Sequence, residues 1–159
     1  MAAMGNLLVK DDAASPVEST LLPITDSPNP QWRGGAAGVP FEGQIRFSLK
    51  EEKLASGDYK RTAKLEVPVM ETLGASGTSA GYVAPPKVAY TEVHIYTHFS
   101  SRRSTIADRA NSLKMMLGAL QGASATTATG VLNQASAGSA FTSSVLPVPL
   151  FYTQGVVPN

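Results

Sequence analysis

Gln44-Ile45-Arg46-Phe47-Ser48-Leu49-Lys50 alternates without a break between side chains that avoid water and side chains that seek it. Successive side chains of an extended strand point to opposite faces, so Ile45, Phe47 and Leu49 share one side and Gln44, Arg46, Ser48 and Lys50 the other. Past a turn at Leu54-Ala55-Ser56-Gly57-Asp58 the pattern returns in Thr62-Ala63-Lys64-Leu65-Glu66-Val67, where Ala63, Leu65 and Val67 oppose Thr62, Lys64 and Glu66. Pro68 ends this strand or places it at an edge. A third alternation runs over 89–99, with Ala89, Thr91, Val93, Ile95, Thr97 and Phe99 against Tyr90, Glu92, His94, Tyr96 and His98. The three stretches predict an antiparallel meander with one apolar face that another layer must cover. On this reading Ile45, Leu65 and Val93 lie on the covered side, and Arg46, Lys64 and Tyr90 lie on the other.

Upstream, two apolar runs, Leu7-Leu8-Val9-Lys10 and Ser19-Thr20-Leu21-Leu22-Pro23-Ile24, flank a polar stretch bearing Pro16, which predicts an N-terminal hairpin over 5–25. Gln31-Trp32-Arg33 is at most a short strand before the flexible Gly34-Gly35-Ala36-Ala37-Gly38. Residues 72–86, rich in Gly and Ser, read as a long loop closed by Pro85-Pro86. A helix follows, with Ser101 or Ser104 as N-cap and Ile106, Ala110, Leu113, Leu117 and Leu120 as one apolar stripe. Gly122 sits where a helix stop belongs. Ser124 can cap a second helix with Ala128, Val131, Leu132 and Ala135 inward. From Phe141 onward the spacing of Pro147 and Pro149 predicts an extended tail. The expected architecture is therefore α+β: an N-terminal hairpin, a sheet of about five strands over 31–99, two helices over 101–138, and a C-terminal extension over 141–159.

Composition narrows the function. The chain has 159 residues, 43% hydrophobic and 16% charged, enough for one core and too few charges for charge-driven disorder. There is no cysteine, which excludes disulfides, thiolate metal sites and cysteine nucleophiles. No uninterrupted apolar run reaches the ~18 residues of a membrane helix, and residues 1–10 lack the features of a signal peptide. The net charge of +1 is unevenly spread. Residues 1–43 carry two cations against five carboxylates, residues 44–70 six against four, and residues 71–159 five against three. After Lys114 there is no charged side chain, a composition suited to contact with another copy of the protein.

A flat face bearing cations and aromatic rings suits phosphates and stacked bases, whereas an ordinary solvated sheet face carries much the same residues. Other chemistry finds less support. His94 and His98 stand about 13 Å apart along a strand, too far to chelate one ion together. The Gly-rich run 74–81 lacks the Gly-Lys-Ser/Thr of a nucleotide loop. Neither a nucleophile elbow nor a paired acid and base stands out, so no enzyme, metal or cofactor is expected.

Three stretches carry a family likeness. Ala63-Lys64-Leu65-Glu66-Val67-Pro68, Ala89-Tyr90-Thr91-Glu92-Val93, and the run from Phe99 through Ile106 to Leu120 together resemble, in order and spacing, the coat proteins of small single-stranded-RNA bacteriophages, the leviviruses. The likeness spans residues 5 to 140. It implies an intertwined homodimer, with sheets joined edge to edge and each chain's helices crossing onto the partner's sheet. It further implies an icosahedral shell, usually T=3, whose alternative loop conformations fall here on 72–86. The polar sheet face would point at the enclosed RNA genome and grip a hairpin that marks it for packaging and represses translation. Position by position, the RNA-facing residues would be Gln44, Arg46, Ser48 and Lys50, then Thr62, Lys64 and Glu66, then Tyr90 and Glu92. Lys64 would meet phosphate or a base edge, and Tyr90 would stack on a base.

The chain departs from the family pattern in four places. Arg46 stands where the best-studied members carry a small hydroxyl, Glu92 can only accept from a base amino group, loop cysteines are absent, and the tail beyond about Ala140 has no counterpart. That tail would run along the shell, enter a neighbouring dimer, or fray. The expected setting is the virion, assembled in the host bacterial cytoplasm, with no membrane or small-molecule partner. Two other readings remain at this point: an RNA-binding regulator that builds no shell, and a tail-tube or pilus-like subunit.

Overall fold

The structure, a computed structural model, describes residues 4–11, 15–71, 87–120 and 147–157. Six strands form one antiparallel sheet in chain order: β1 (Leu7–Lys10), β2 (Glu18–Thr25), β3 (Gln31–Gly35), β4 (Ile45–Lys53), β5 (Tyr59–Met70) and β6 (Val88–Ser100). Two helices follow among the described residues, α1 (Ile106–Leu120) and α2 (Pro147–Gln154). The predicted hairpin is present as β1–β2, and it continues into the sheet through the β2–β3 pairing. Strand β3 is more than the marginal strand expected. It pairs on both sides, and its Trp32 is 1% exposed, with Nε1 donating to the Gly5 carbonyl at 2.9 Å.

Two prolines lie inside strands without breaking the sheet. Pro68 pairs with Thr91 of β6, but the β4 ladder stops at Glu66, so the missing N–H faces no neighbour. Pro23 lies beyond Leu21, where β1 ends, next to a register shift in β2.

One face of the sheet carries the core. Leu21, Trp32, Leu49 and Ala63 are buried there with Leu113 of α1 and Phe151 of α2. Trp32 and Phe47 pack as tilted rings 5.8 Å apart. The stripe on α1 behaves as its spacing predicts at Ala110 and Leu113, which are buried, and at Leu117, which packs against the core; Ile106 stays exposed. The N-cap differs from the expected serines. The Thr105 hydroxyl accepts from the Asp108 N–H at 3.1 Å, and Asp108 Oδ2 accepts from the Thr105 N–H at 2.9 Å. This is a reciprocal capping box, and its Thr-x-x-Asp spacing is visible in the sequence. Ser104 instead donates its hydroxyl to the Ser101 carbonyl.

The C-terminal segment overturns the extended-tail expectation. Residues Pro147–Gln154 form a helix whose Phe151 and Thr153 are fully buried. Both prolines fall in its first turn, where backbone N–H groups have no intrahelical acceptor, so their absence costs nothing. Gly155, at φ +70°, ends the helix, with its N–H donating to the Phe151 carbonyl at 3.2 Å. The predicted loop over 72–86, the Gly122 stop and the second helix expected from Ser124 lie outside the described residues.

Candidate nucleic-acid interface

Directly opposed residues in an antiparallel ladder project to the same face. Arg46 opposes Glu66, Ser48 opposes Lys64 and Lys50 opposes Thr62, so six of the expected interface residues stand together on the face away from the core. Gln44 lies one residue ahead of β4, its N–H bonded to the Phe41 carbonyl. Arg33 of β3 opposes Arg46 and joins this face, with its guanidinium 4.4 Å from the centre of the Phe41 ring. Over β3 to β5 the face holds Arg33, Arg46, Lys50, Lys60 and Lys64 against Glu52 and Glu66, an excess of positive charge.

The carboxylates are engaged by neighbouring lysines. Lys64 Nζ lies 2.8 Å from Glu66 Oε1, and Glu52 bridges Lys50 at 2.8 Å and Lys60 at 3.4 Å. The hydrogen bond from Lys50 holds the Glu52 carboxyl below its ordinary range. Among the described residues, hollows open on this face, and Arg46 and Glu66 line two of them. One of about 190 Å³ also touches Ser48 and Lys64, and one of about 460 Å³ also touches Phe41, Thr91 and Val93.

Strand β6 reverses one expectation. Val67 opposes Glu92 and Val69 opposes Tyr90, which puts Tyr90 and Glu92 on the core side of the sheet, away from Lys64. Lys64 opposes Ile95, and Glu66 opposes Val93. The residues of β6 beside the cations are thus Thr91, Val93, Ile95, Thr97 and Phe99; Val93, Ile95 and Phe99 are exposed. The assignment of Val93 to the same side as Ile45 and Leu65 is corrected in the same way. Ala89, Val93, Ile95 and Phe99 make their set the more apolar, so alternation points to the sense opposite to the one observed, and a shift of one residue in register exchanges every side chain. Arg33, Thr91 and Val93 are members of the face that sequence reasoning missed. Arg33 could have been found by carrying the alternation back to Trp32.

On the core side His98 opposes Arg61. Partial burial, then the charges of Arg61 and Arg109, hold its imidazole below the ordinary range. The unfolded chain therefore takes up this proton before the folded chain does. This group leaves stability unchanged above about pH 6.5 and lowers it as the pH falls below that value. Asp58, held low by the Arg102 backbone N–H, and Asp108, held low by that of Thr105, add a separate loss below about pH 4. Urea unfolding followed from about pH 8 to pH 5 checks the first of these. Stability declines below pH 6.5 in the native chain and declines less in His98→Gln; equal slopes refute the assignment. Among the described residues no group of His, Asp and Glu side chains is placed to hold a metal ion.

Comparison with known proteins bears on the family and the fold. The family model described as levivirus coat protein matches residues 2–137. The capsid protein of Pseudomonas phage PRR1 is 34% identical over 120 residues, covering 76% of this chain and 87% of that protein. The virus-like particle of bacteriophage EMS014 superposes with a TM-score of 0.69 at 44% identity, covering 99% of both chains. That of bacteriophage ESE058 shares the fold, with a TM-score of 0.62 at 22% identity over 76% of this chain and 89% of that one. Helix α2 lies beyond the residues the family model matches, yet within the span shared with the EMS014 protein.

Proposed function

The chain belongs to the levivirus coat protein family, and from that premise we propose that it is a capsid protein that dimerises, builds an icosahedral T=3 shell and encloses single-stranded RNA. The family is structural and is not an enzyme class. One observation carries the RNA half of the reading. The β4–β5 register gathers Arg46, Ser48, Lys50, Thr62, Lys64 and Glu66 on the face opposite the core. Cations there meet backbone phosphates, and the hydroxyls and Glu66 meet base edges. Exposed Val93 and Ile95 offer apolar contact to unstacked bases in the place expected of Tyr90. Recognition of one hairpin by this face would serve both packaging and translational repression in the host cytoplasm.

Two further features support the dimer. Strand β6 is 13 residues long and stands at the end of the sheet order, so its outer edge has no strand partner among the described residues. Such an edge is a template for pairing with a second copy. Tyr90, 57% exposed on the core side of β6, and Met115, 74% exposed on α1, are the kind of surface that a partner's helices and sheet would cover.

Expression of the chain alone tests the reading. Electron microscopy and light scattering show closed particles tens of nanometres across holding nuclease-protected RNA. A small soluble dimer under all assembly conditions, or tubes, overturns it. Lys64→Ala weakens RNA binding by about tenfold and lowers the salt dependence by about one counterion, while particles still form. Unchanged affinity removes Lys64 from the interface.

A further inference from the structure

On the core side, where the C-terminal end of α2 rests on β5, a cavity of about 220 Å³ is lined by Glu51, Arg61, Ser100, Arg102, Arg109 and Gly155, among others. Three arginines line it, Arg61, Arg102 and Arg109. Arg61 is 5% exposed, and its Nε donates to Glu51 Oε2 at 2.6 Å. Its Nη1 is fully buried and has no hydrogen-bond partner among the described residues. Arg109 is spoken for by backbone: Nε donates to the Thr153 carbonyl, and Nη1 donates to the Ser104 carbonyl at 2.5 Å and to the Ser104 hydroxyl at 3.0 Å. None of those acceptors carries a formal charge. Asp58 accepts from the Arg102 backbone N–H at 3.1 Å. Among the described residues that line the cavity, Glu51 is the one carboxylate against three arginines.

Crowding of like charge is felt by the groups themselves. Burial, then the charge of Arg61, lowers the proton affinity of Arg109, and both arginines lower that of His98. A buried guanidinium with an unused N–H, in a cavity that two further arginines line, is an arrangement that an oxyanion relieves, because its oxygens accept several N–H bonds at once and its charge offsets the excess.

We propose that Arg61, Arg102 and Arg109 form a binding site for a small inorganic oxyanion of phosphate size beneath the C-terminal helix. The site lies on the opposite face from the RNA-facing cations and does not depend on that reading. It is closed by Gly155, whose φ of +70° and lack of a side chain let the backbone come close to Arg61: a Cβ there would lie 2.6 Å from Nη2. Anion binding would fasten α2 to β5 through Arg61 and Arg109.

Thermal unfolding of the full chain in inorganic phosphate, against sodium chloride at equal ionic strength, tests the proposal. The melting temperature rises saturably with phosphate. Glu51→Gln removes the competing carboxylate and enlarges the shift. Arg102→Gln keeps the backbone N–H to Asp58 and weakens phosphate binding at least threefold. Lys64→Ala, on the other face, leaves the shift unchanged. A phosphate effect no greater than that of chloride overturns the proposal, since water then satisfies Nη1. A shift that survives Arg102→Gln undiminished but disappears in Lys64→Ala overturns it as well, and locates the anion on the RNA-facing side. Should Glu51→Gln not fold, the pair Arg102→Gln and Lys64→Ala still decides.

Discussion

Phe151→Ala destabilises the chain by about 3–5 kcal/mol, the range for deleting a fully buried aromatic ring. The ring is 0% exposed and sits among Leu21, Trp32, Leu49, Ala63 and Leu113, so its loss leaves a void lined by elements from both ends of the chain. The ring comes from a segment that its two prolines would suggest is irregular. A frayed or merely draped tail would make the substitution nearly silent. Equilibrium urea unfolding separates the two outcomes, with Val157→Ala, at an exposed position after the helix, as the control that changes stability by less than about 0.5 kcal/mol. A loss below about 1 kcal/mol for Phe151→Ala removes α2 from the core.

Gly34→Ala costs about 3 kcal/mol or more, the upper end of overpacking effects. A Cβ at Gly34 would lie 1.9 Å from the Thr20 carbonyl oxygen and 2.9 Å from its carbon. Both are backbone atoms of the neighbouring strand, so no rotamer change relieves the clash, and β2 must part from β3. The adjacent residue supplies the contrast. A Cβ at Gly35 meets only the Val39 side chain at 3.4 Å, and Gly35→Ala changes stability by less than about 1 kcal/mol. Gly43→Ala presses on the flexible Met70 thioether and falls between them. Thermal unfolding of the three variants ranks them. Equal effects at Gly34 and Gly35 would contradict the close approach of β2 and β3.

Much of this molecule is legible locally. The alternation at Gln44–Lys50 and at Thr62–Val67 names the residues that share a side, and the β4–β5 ladder joins them as predicted: Phe47 with Leu65, Leu49 with Ala63, Ser48 with Lys64. The Ala110, Leu113, Leu117 spacing locates α1 and its inner face. Several hydroxyl residues precede the helix, and the one with a carboxylate three positions on, Thr105, is the one that closes the box.

The amino-acid sequence alone determines which residues lie on a common side of each strand, where the hairpin and α1 fall, and that a covered face backs a cationic one. Those are properties of a chain with a repeat of two or 3.6 residues, and they need no knowledge of neighbours. Tertiary structure alone decides that Tyr90 turns toward the core while Val93 joins Lys64, that Trp32 anchors the sheet, and that Phe151 returns to fill it. Each of these depends on pairing register or on contact between residues far apart in the chain. The local pattern at 89–99 favours the opposite sense to the one the ladder imposes, and two prolines at a helix start look the same as two in an extended tail until the surface they pack on is present.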